Sequence, residues 1–165
     1  MASTTVFSRA VDLSLAQARA IIAGALAEGR NKSLAPLTVV VLDAGGHLIA
    51  MEREDGAGTL RFEIARGKAY GALGLGIGSR TIGARNQGRD AFLAAVAAAS
   101  DGGCVPVAGG VLALNADQRV IGAVGVSGDT SDADEVCAIA GIIAAGLAAG
   151  VDIGVGLSLD HADWL

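Results

Sequence analysis

The sequence predicts an α+β fold: an antiparallel sheet built from two hairpins, with helices segregated around it. Three observations carry this. Leu37–Met51 and Gly109–Gly128 each read as two apolar, β-branched runs joined by a short turn. Helical patterns lie before, between and after these hairpins. The strands also come in pairs. A doubly wound sheet would need single strands alternating with helices.

Each element has a local reason. Residues 1–12 read as a flexible N-terminal arm, ahead of a single domain over 13–165. Ser14 and Gln17 form a capping box, each side chain reaching the other's backbone N–H. Leu15, Ala18, Ile22, Ala25 and Leu26 then share one helical face. Gly29 suits the left-handed residue that ends this helix. Pro36 turns the chain into an extended path. Leu37–Leu42 is a nearly continuous apolar run rich in β-branched residues, as in a strand buried on both faces. Asp43–Gly46 makes the turn, and His47–Met51 returns.

Glu52–Gly58 is a charged loop, and Thr59 caps a helix over Leu60–Leu73. Its apolar line is Leu60, Ile64, Ala65, Ala69 and Leu73, with Lys68 beside it. Gly71, Gly74, Gly76 and Gly78 loosen the chain. A further helical stretch spans Thr81–Ser100 with a break at Gly88. Asp101–Pro106 is a loop. Val107–Asn115 and Arg119–Ser127 form the second hairpin, turning at Ala116–Gln118. Asp129–Ser131 caps a last helix over Asp132–Ala149, which Gly150 ends; Val151–Leu165 adds a short strand and a tail.

Composition bounds the partners. The 165 residues are 52% hydrophobic but only 3% aromatic, so the core is built from Ala, Val, Ile, Leu and Gly. A chain this apolar hides some faces against copies of itself. The net charge of −5 argues against nucleic acid. Arg80, Arg85 and Arg89 read as a solvated helix face rather than a phosphate site. The N-terminal residues do not form a secretory signal. The run Val136–Val151 falls short of the ~18 apolar residues a membrane span needs. The expectation is a cytoplasmic chain that does not cross a membrane. Cys104 and Cys137 have no metal spacing and read as reduced, apolar fillers. No zinc signature, phosphate loop or Ser/His/Asp pattern is present. Gly122, Gly125 and Gly128 have dinucleotide-fingerprint spacing, but they lie on and after a hairpin strand, which excludes that reading.

Six pieces in order carry a family resemblance. They are Val41–Leu48, Glu52–Ala57, Lys68-Ala69, Gly109-Gly110, Val120–Gly128 and the acidic pair Asp134-Glu135. From about Leu13 to Gly150 the chain resembles the GlcG/HbpS-like haem-binding protein family. The resemblance implies a profilin-like or PAS-like sheet flanked by helices. It implies homo-oligomers, dimers that assemble into hexamers or octamers, with ligand sites between subunits. It makes haem a candidate cofactor, although members differ in role.

The residues that could bear chemistry follow. Haem iron needs an axial His, Cys, Met or Tyr. His47 and His161 are the first candidates; Tyr70, Cys104, Met51 and Cys137 are weaker. Lys68, at a position that matches the family's motif, is a candidate catalytic base if desolvation lowers its pKa, with Asp55 as its proton-transfer partner. The bland alternative is a lysine whose stem packs while its head stays wet. Arg53 and Arg61 could hold a substrate carboxylate. Arg61 shares a helix face with Lys68, whereas Glu63, a further ligand-binding candidate, does not. Gly109 and Gly110 could bare backbone N–H groups toward an anion, or simply permit close packing.

Two main function classes follow. One is a cytoplasmic oligomeric binder of haem or another planar compound. The other is a catabolic isomerase, lyase or hydrolase acting on a carboxylate or phenolic substrate through Lys68 and Asp55. A third reading is a structural partner of another enzyme.

Overall fold

The computed structural model describes residues 5–151. Helix α1 is Leu15–Asn31, strands β1 and β2 are Thr38–Asp43 and Leu48–Arg53, and helices α2, α3 and α4 are Arg61–Leu75, Ser79–Arg85 and Asp90–Ala99. Strands β3 and β4 are Gly110–Leu114 and Val120–Ser127, followed by helix α5 (Ser131–Ala144) and strand β5 (Ala148–Gly150). The sheet order is β2-β1-β4-β3-β5, antiparallel throughout. The two hairpins therefore fuse through β1 and β4, with Val40 opposite Gly125 and Leu42 opposite Ala123.

The apolar run Val39–Leu42 of β1 is explained by its central place. Val39 and Val41 face a core shared with Ile21, Ile22 and Ala25 of α1 and Cys137 and Ile142 of α5. Val40 and Leu42 face a second core with Ala65, Ala69 and Ala72 of α2. Side chains alternate between faces along a strand, so covering both faces needs apolar residues at every position. Each such Val or Leu, fully buried, contributes roughly 1.5–3 kcal/mol. The result is α1 and α5 on one face, packed on each other, and α2 on the other.

The capping box of α1 is formed: Gln17 N–H donates to Ser14 Oγ at 3.1 Å, and Ser14 N–H donates to Gln17 Oε1 at 3.0 Å. Gly29, however, does not end that helix. It is buried inside it, and a Cβ there would lie 2.6 Å from Leu37 Cδ1. Its purpose is close approach to the strand, and the helix runs on to Asn31. Thr59 does not cap α2, whose N-terminus has no side-chain cap. Gly71 and Gly74 lie within α2, which ends at the left-handed Gly76. The chain does break around Gly88, between α3 and α4.

The last helix, expected to reach Ala149, stops at Ala144. Gly146 turns the chain with φ +75°, and Ala148–Gly150 pairs with β3. Alanine favours a helix locally, but the free edge of β3 supplies backbone partners that three more helical residues would leave unmet. Residues 5–12 contain no helix or strand, and Thr5–Asp12 are exposed. His161 and the expected tail beyond Val151 lie outside the described residues.

Candidate functional site

Helix α2 lies unusually close to the sheet because the strands beneath it carry glycine. A Cβ on Gly125 would sit 1.8 Å from Ala65 O, and one on Gly110 would sit 2.2 Å from Lys68 O. This approach carries Lys68 into the interior, where its side chain is 2% exposed. Its Nζ donates to Asp134 Oδ2 at 2.8 Å and to Val126 O at 2.9 Å. Gly109 makes room for that ammonium group: at φ +115° it has no Cβ, which would otherwise lie 2.8 Å from Lys68 Nζ.

Asp134 is 1% exposed and sits in the first turn of α5, capped by Thr130. Its second oxygen accepts the N–H of Asp129 at 3.1 Å. A helix N-terminus favours a carboxylate. Burial pushes the Lys68 ammonium below its usual range, against the pull of Asp134. Burial likewise pushes the Asp134 carboxyl up, against the pull of Lys68. Polar groups extend outward from the pair. Arg61 Nη1 donates to Ser127 Oγ at 3.1 Å, and Arg80 Nε donates to Glu135 Oε2 at 2.7 Å.

Several clefts open on the surface among the described residues. The first, about 550 Å³, is lined by Arg30, Leu34, Pro36, Arg53, Glu54 and Asp55. Glu54 is committed there, accepting the N–H of Leu37 at 2.7 Å and pairing with Arg30. The second, about 390 Å³, lies between the N-terminal segment and the β1–β2 turn, and includes Arg9, Leu13, His47, Ile49 and Ile121. The third, about 270 Å³, separates α2 from α4 and includes Tyr70, Val96, Ala99 and Cys104.

The β1–β2 turn holds His47 firmly. Asp43 Oδ1 accepts the N–H groups of Gly45 and His47, each at 2.9 Å. The same oxygen lies 3.3 Å from His47 Nδ1. Slight burial pushes the Asp43 carboxyl up, but these N–H groups and the imidazole outweigh it and hold it below the ordinary aspartate value. The ring itself stays 74% exposed.

The sequence-predicted residues therefore fall in separate places. No hydrogen bond or ion pair joins Lys68 to Asp55, which is exposed and lines the first cleft with Arg53. Lys68 lines none of the three clefts. It is neither wet-headed nor open to a substrate. Arg61 does stand on the Lys68 side of α2, and Glu63 is exposed. The N–H of Gly110 donates to Ser79 Oγ at 2.8 Å, so it is not presented to an anion. Sequence reasoning missed Asp134 as the lysine's partner. The signal was available: a lysine beside an apolar helix line needs a carboxylate once buried, and the apolar last helix opens with acidic residues. Among the described residues no cluster of three or more His, Cys, Asp or Glu could hold a metal ion, and no helix is long and apolar enough to cross a membrane.

The model of the family of haem degrading proteins called HbpS-like matches residues 13–143. The chain belongs to the HbpS-like family. Protein GlcG of Escherichia coli strain K12 is 37% identical over 121 residues, spanning 71% of this HbpS-like chain and 82% of GlcG. The solved PduOC:haem complex aligns with a TM-score of 0.75 at 23% identity, over 85% of this chain and 99% of that one. Protein ORFY of Klebsiella pneumoniae aligns with a TM-score of 0.74 at 26% identity, over 87% and 98%. The fused hairpins and the helices that cover them are thus an HbpS-like fold.

Proposed function

We propose that this chain is a homo-oligomeric small-molecule-binding protein whose ligand is haem or another planar compound, taken at the cleft beside His47. The observation that carries the reading is the His47 ring. Its Nδ1 lies against Asp43, which leaves Nε2 as the atom that would hold the iron. Val11, Leu13, Leu15, Ile49 and Ile121 supply apolar lining, and Arg9 supplies a cation for a carboxylate at the rim. These residues fit an axially ligated porphyrin. Bound haem would supply a redox-active iron; the chain's own part is to hold and orient it. A family whose model is described as haem degrading, and a fold neighbour solved with haem, support the ligand class. The unpaired thiols of Cys104 and Cys137 suit a reducing compartment such as the cytoplasm. Exposed Val6, Phe7, Leu60, Phe92 and Ile143 support self-association.

The test is a haem titration followed by absorption. The wild-type chain should show a saturable Soret shift, and His47→Ala should weaken binding at least tenfold with unchanged circular dichroism. An identical titration in His47→Ala would remove this site. No saturable shift in the wild type would remove haem as the ligand.

A further inference from the structure

The end of the sheet away from His47 carries a polar atom with no partner. Among the described residues, Thr38 Oγ1 is the buried side-chain oxygen or nitrogen that makes no hydrogen bond. Thr38 is 0% exposed. An orphaned buried hydroxyl costs free energy, and valine would fill the same volume without that cost. Thr38 stands directly across from Ser127 on β4 and from Arg53 on β2. Val40, two positions along, packs under α2. All three side chains therefore stand on the face that α2 covers. Directly opposed side chains on one face have Cβ atoms about 4.5–5.5 Å apart.

Donors gather around this hydroxyl. Arg61, in the first turn of α2, donates Nη1 to Ser127 Oγ at 3.1 Å. Ser127 is also 0% exposed, and among the described residues its own O–H has no acceptor. Arg61 forms no ion pair among the described residues. Arg53 is exposed and adds a second guanidinium at the rim. The first turn of α2 has no side-chain cap, so the positive end of the helix adds to the same potential. Glu63, two positions beyond Arg61, lies about 200° round the helix and is exposed. The nearby acceptors are committed elsewhere. Asp129 accepts the N–H groups of Ala35 at 2.8 Å and Thr130 at 2.7 Å, and Asp134 holds Lys68.

We infer that this corner is a binding site for a small carboxylate, seated between the Arg61 guanidinium and the hydroxyls of Thr38 and Ser127. One carboxylate oxygen accepts from the two hydroxyls. The other accepts from Arg61, whose planar fork matches a carboxylate. Half-buried Arg61 is both cover and cation. Its long stem swings the guanidinium off Ser127, which opens the hydroxyls and carries the anion in. Charge selects a monoanion. Asp129 and Asp134 lie within electrostatic reach of Arg61, so a second negative charge on the ligand would be repelled. The site is separate from the His47 cleft: His47 lies at the turn of the β1–β2 hairpin, and Thr38 and Arg53 lie at its open end.

The experiment uses the full chain with sodium acetate as the probe at pH 7. Sodium chloride holds the ionic strength constant, and the protein concentration is fixed. Acetate should raise the wild-type Tm saturably and shift the backbone amide resonances of Arg61 and Ser127. Thr38→Val should melt higher than wild type without acetate, because the orphan is gone, and should bind acetate at least tenfold more weakly. Arg61→Met should weaken binding at least tenfold as well. Arg19→Met, which removes an exposed arginine of α1, should bind as wild type does. Inorganic phosphate should bind at least tenfold more weakly than acetate. An acetate effect that is absent or unsaturable in wild type, or equal in Thr38→Val, would overturn the site. So would a Thr38→Val protein that melts lower than wild type without acetate, since the hydroxyl would then have a partner within the fold. A loss in Arg19→Met equal to that in Arg61→Met would leave only net charge and overturn it too. Phosphate binding as tightly as acetate would overturn the carboxylate assignment.

Discussion

Replacing Gly125 by alanine should loosen the molecule more than any other single methyl group. The added Cβ would stand 1.8 Å from Ala65 O, 2.7 Å from Ala65 C and 3.2 Å from Ala69 Cβ. Two of these are backbone atoms, so no side-chain rotation relieves the clash. Helix α2 must lift by on the order of 1.5 Å to restore ordinary contact. Overpacking of this kind costs about 1–3 kcal/mol. The lift also stretches the 2.8 Å Lys68–Asp134 contact. Part of the roughly 3–5 kcal/mol lost when a buried pair is broken is then added. A total of at least about 3 kcal/mol is expected. For a chain of this size that lowers Tm by roughly 6–12 °C. Urea and thermal unfolding at one fixed protein concentration would measure it, since assembly shifts Tm. A Gly125→Ala protein within about 0.5 kcal/mol of wild type would refute the account of glycine-mediated approach.

Three further outcomes follow from the same geometry. Gly74→Ala, in α2 with nothing within 4 Å of the new Cβ, should stabilise by about 0.5–1 kcal/mol in the same assay. Lys68→Met should destabilise by about 3–5 kcal/mol at neutral pH, and adding Asp134→Asn should restore most of it, because asparagine still accepts the Asp129 N–H. The deficit of Lys68→Met alone should shrink on acidification. Burial already holds the Asp134 carboxyl above its ordinary 3.8. A raised folded-state pKa stabilises below the unfolded value and is lost as pH rises through the folded one. The Cys137 thiol is pushed up from 9.0 to about 11, first by burial and then by Glu28 and Asp134. Between those values the unfolded thiol ionises before the folded one. Stability should therefore fall across that window by about 2–3 kcal/mol more in wild type than in Cys137→Ala, read from urea midpoints.

Much of the fold was legible because its signals are local. The capping box at Ser14, the apolar run Val39–Leu42 of β1, the Asp43–Gly46 turn and the break near Gly88 each depend on a few neighbouring residues. The misjudged positions share one cause. Gly29 and Gly71 are punctuation in a one-dimensional reading, but the places of their missing side chains are filled by Leu37 and Cys104. The final helix was read as five residues too long because Ala148–Gly150 becomes a strand only when the edge of β3 is there to pair with it.

The candidate site divides in the same way. By itself the sequence determined that Lys68 flanks an apolar helix line, that His47 follows a tight turn, and that the pieces fall in HbpS-like order. Only the tertiary structure decided that Lys68 is sealed against Asp134, 66 positions away, and is separate from Asp55. The physical reason is that a buried charge takes its partner from whichever carboxylate the packed backbones bring within hydrogen-bond reach, and that distance in space is not written in distance along the chain.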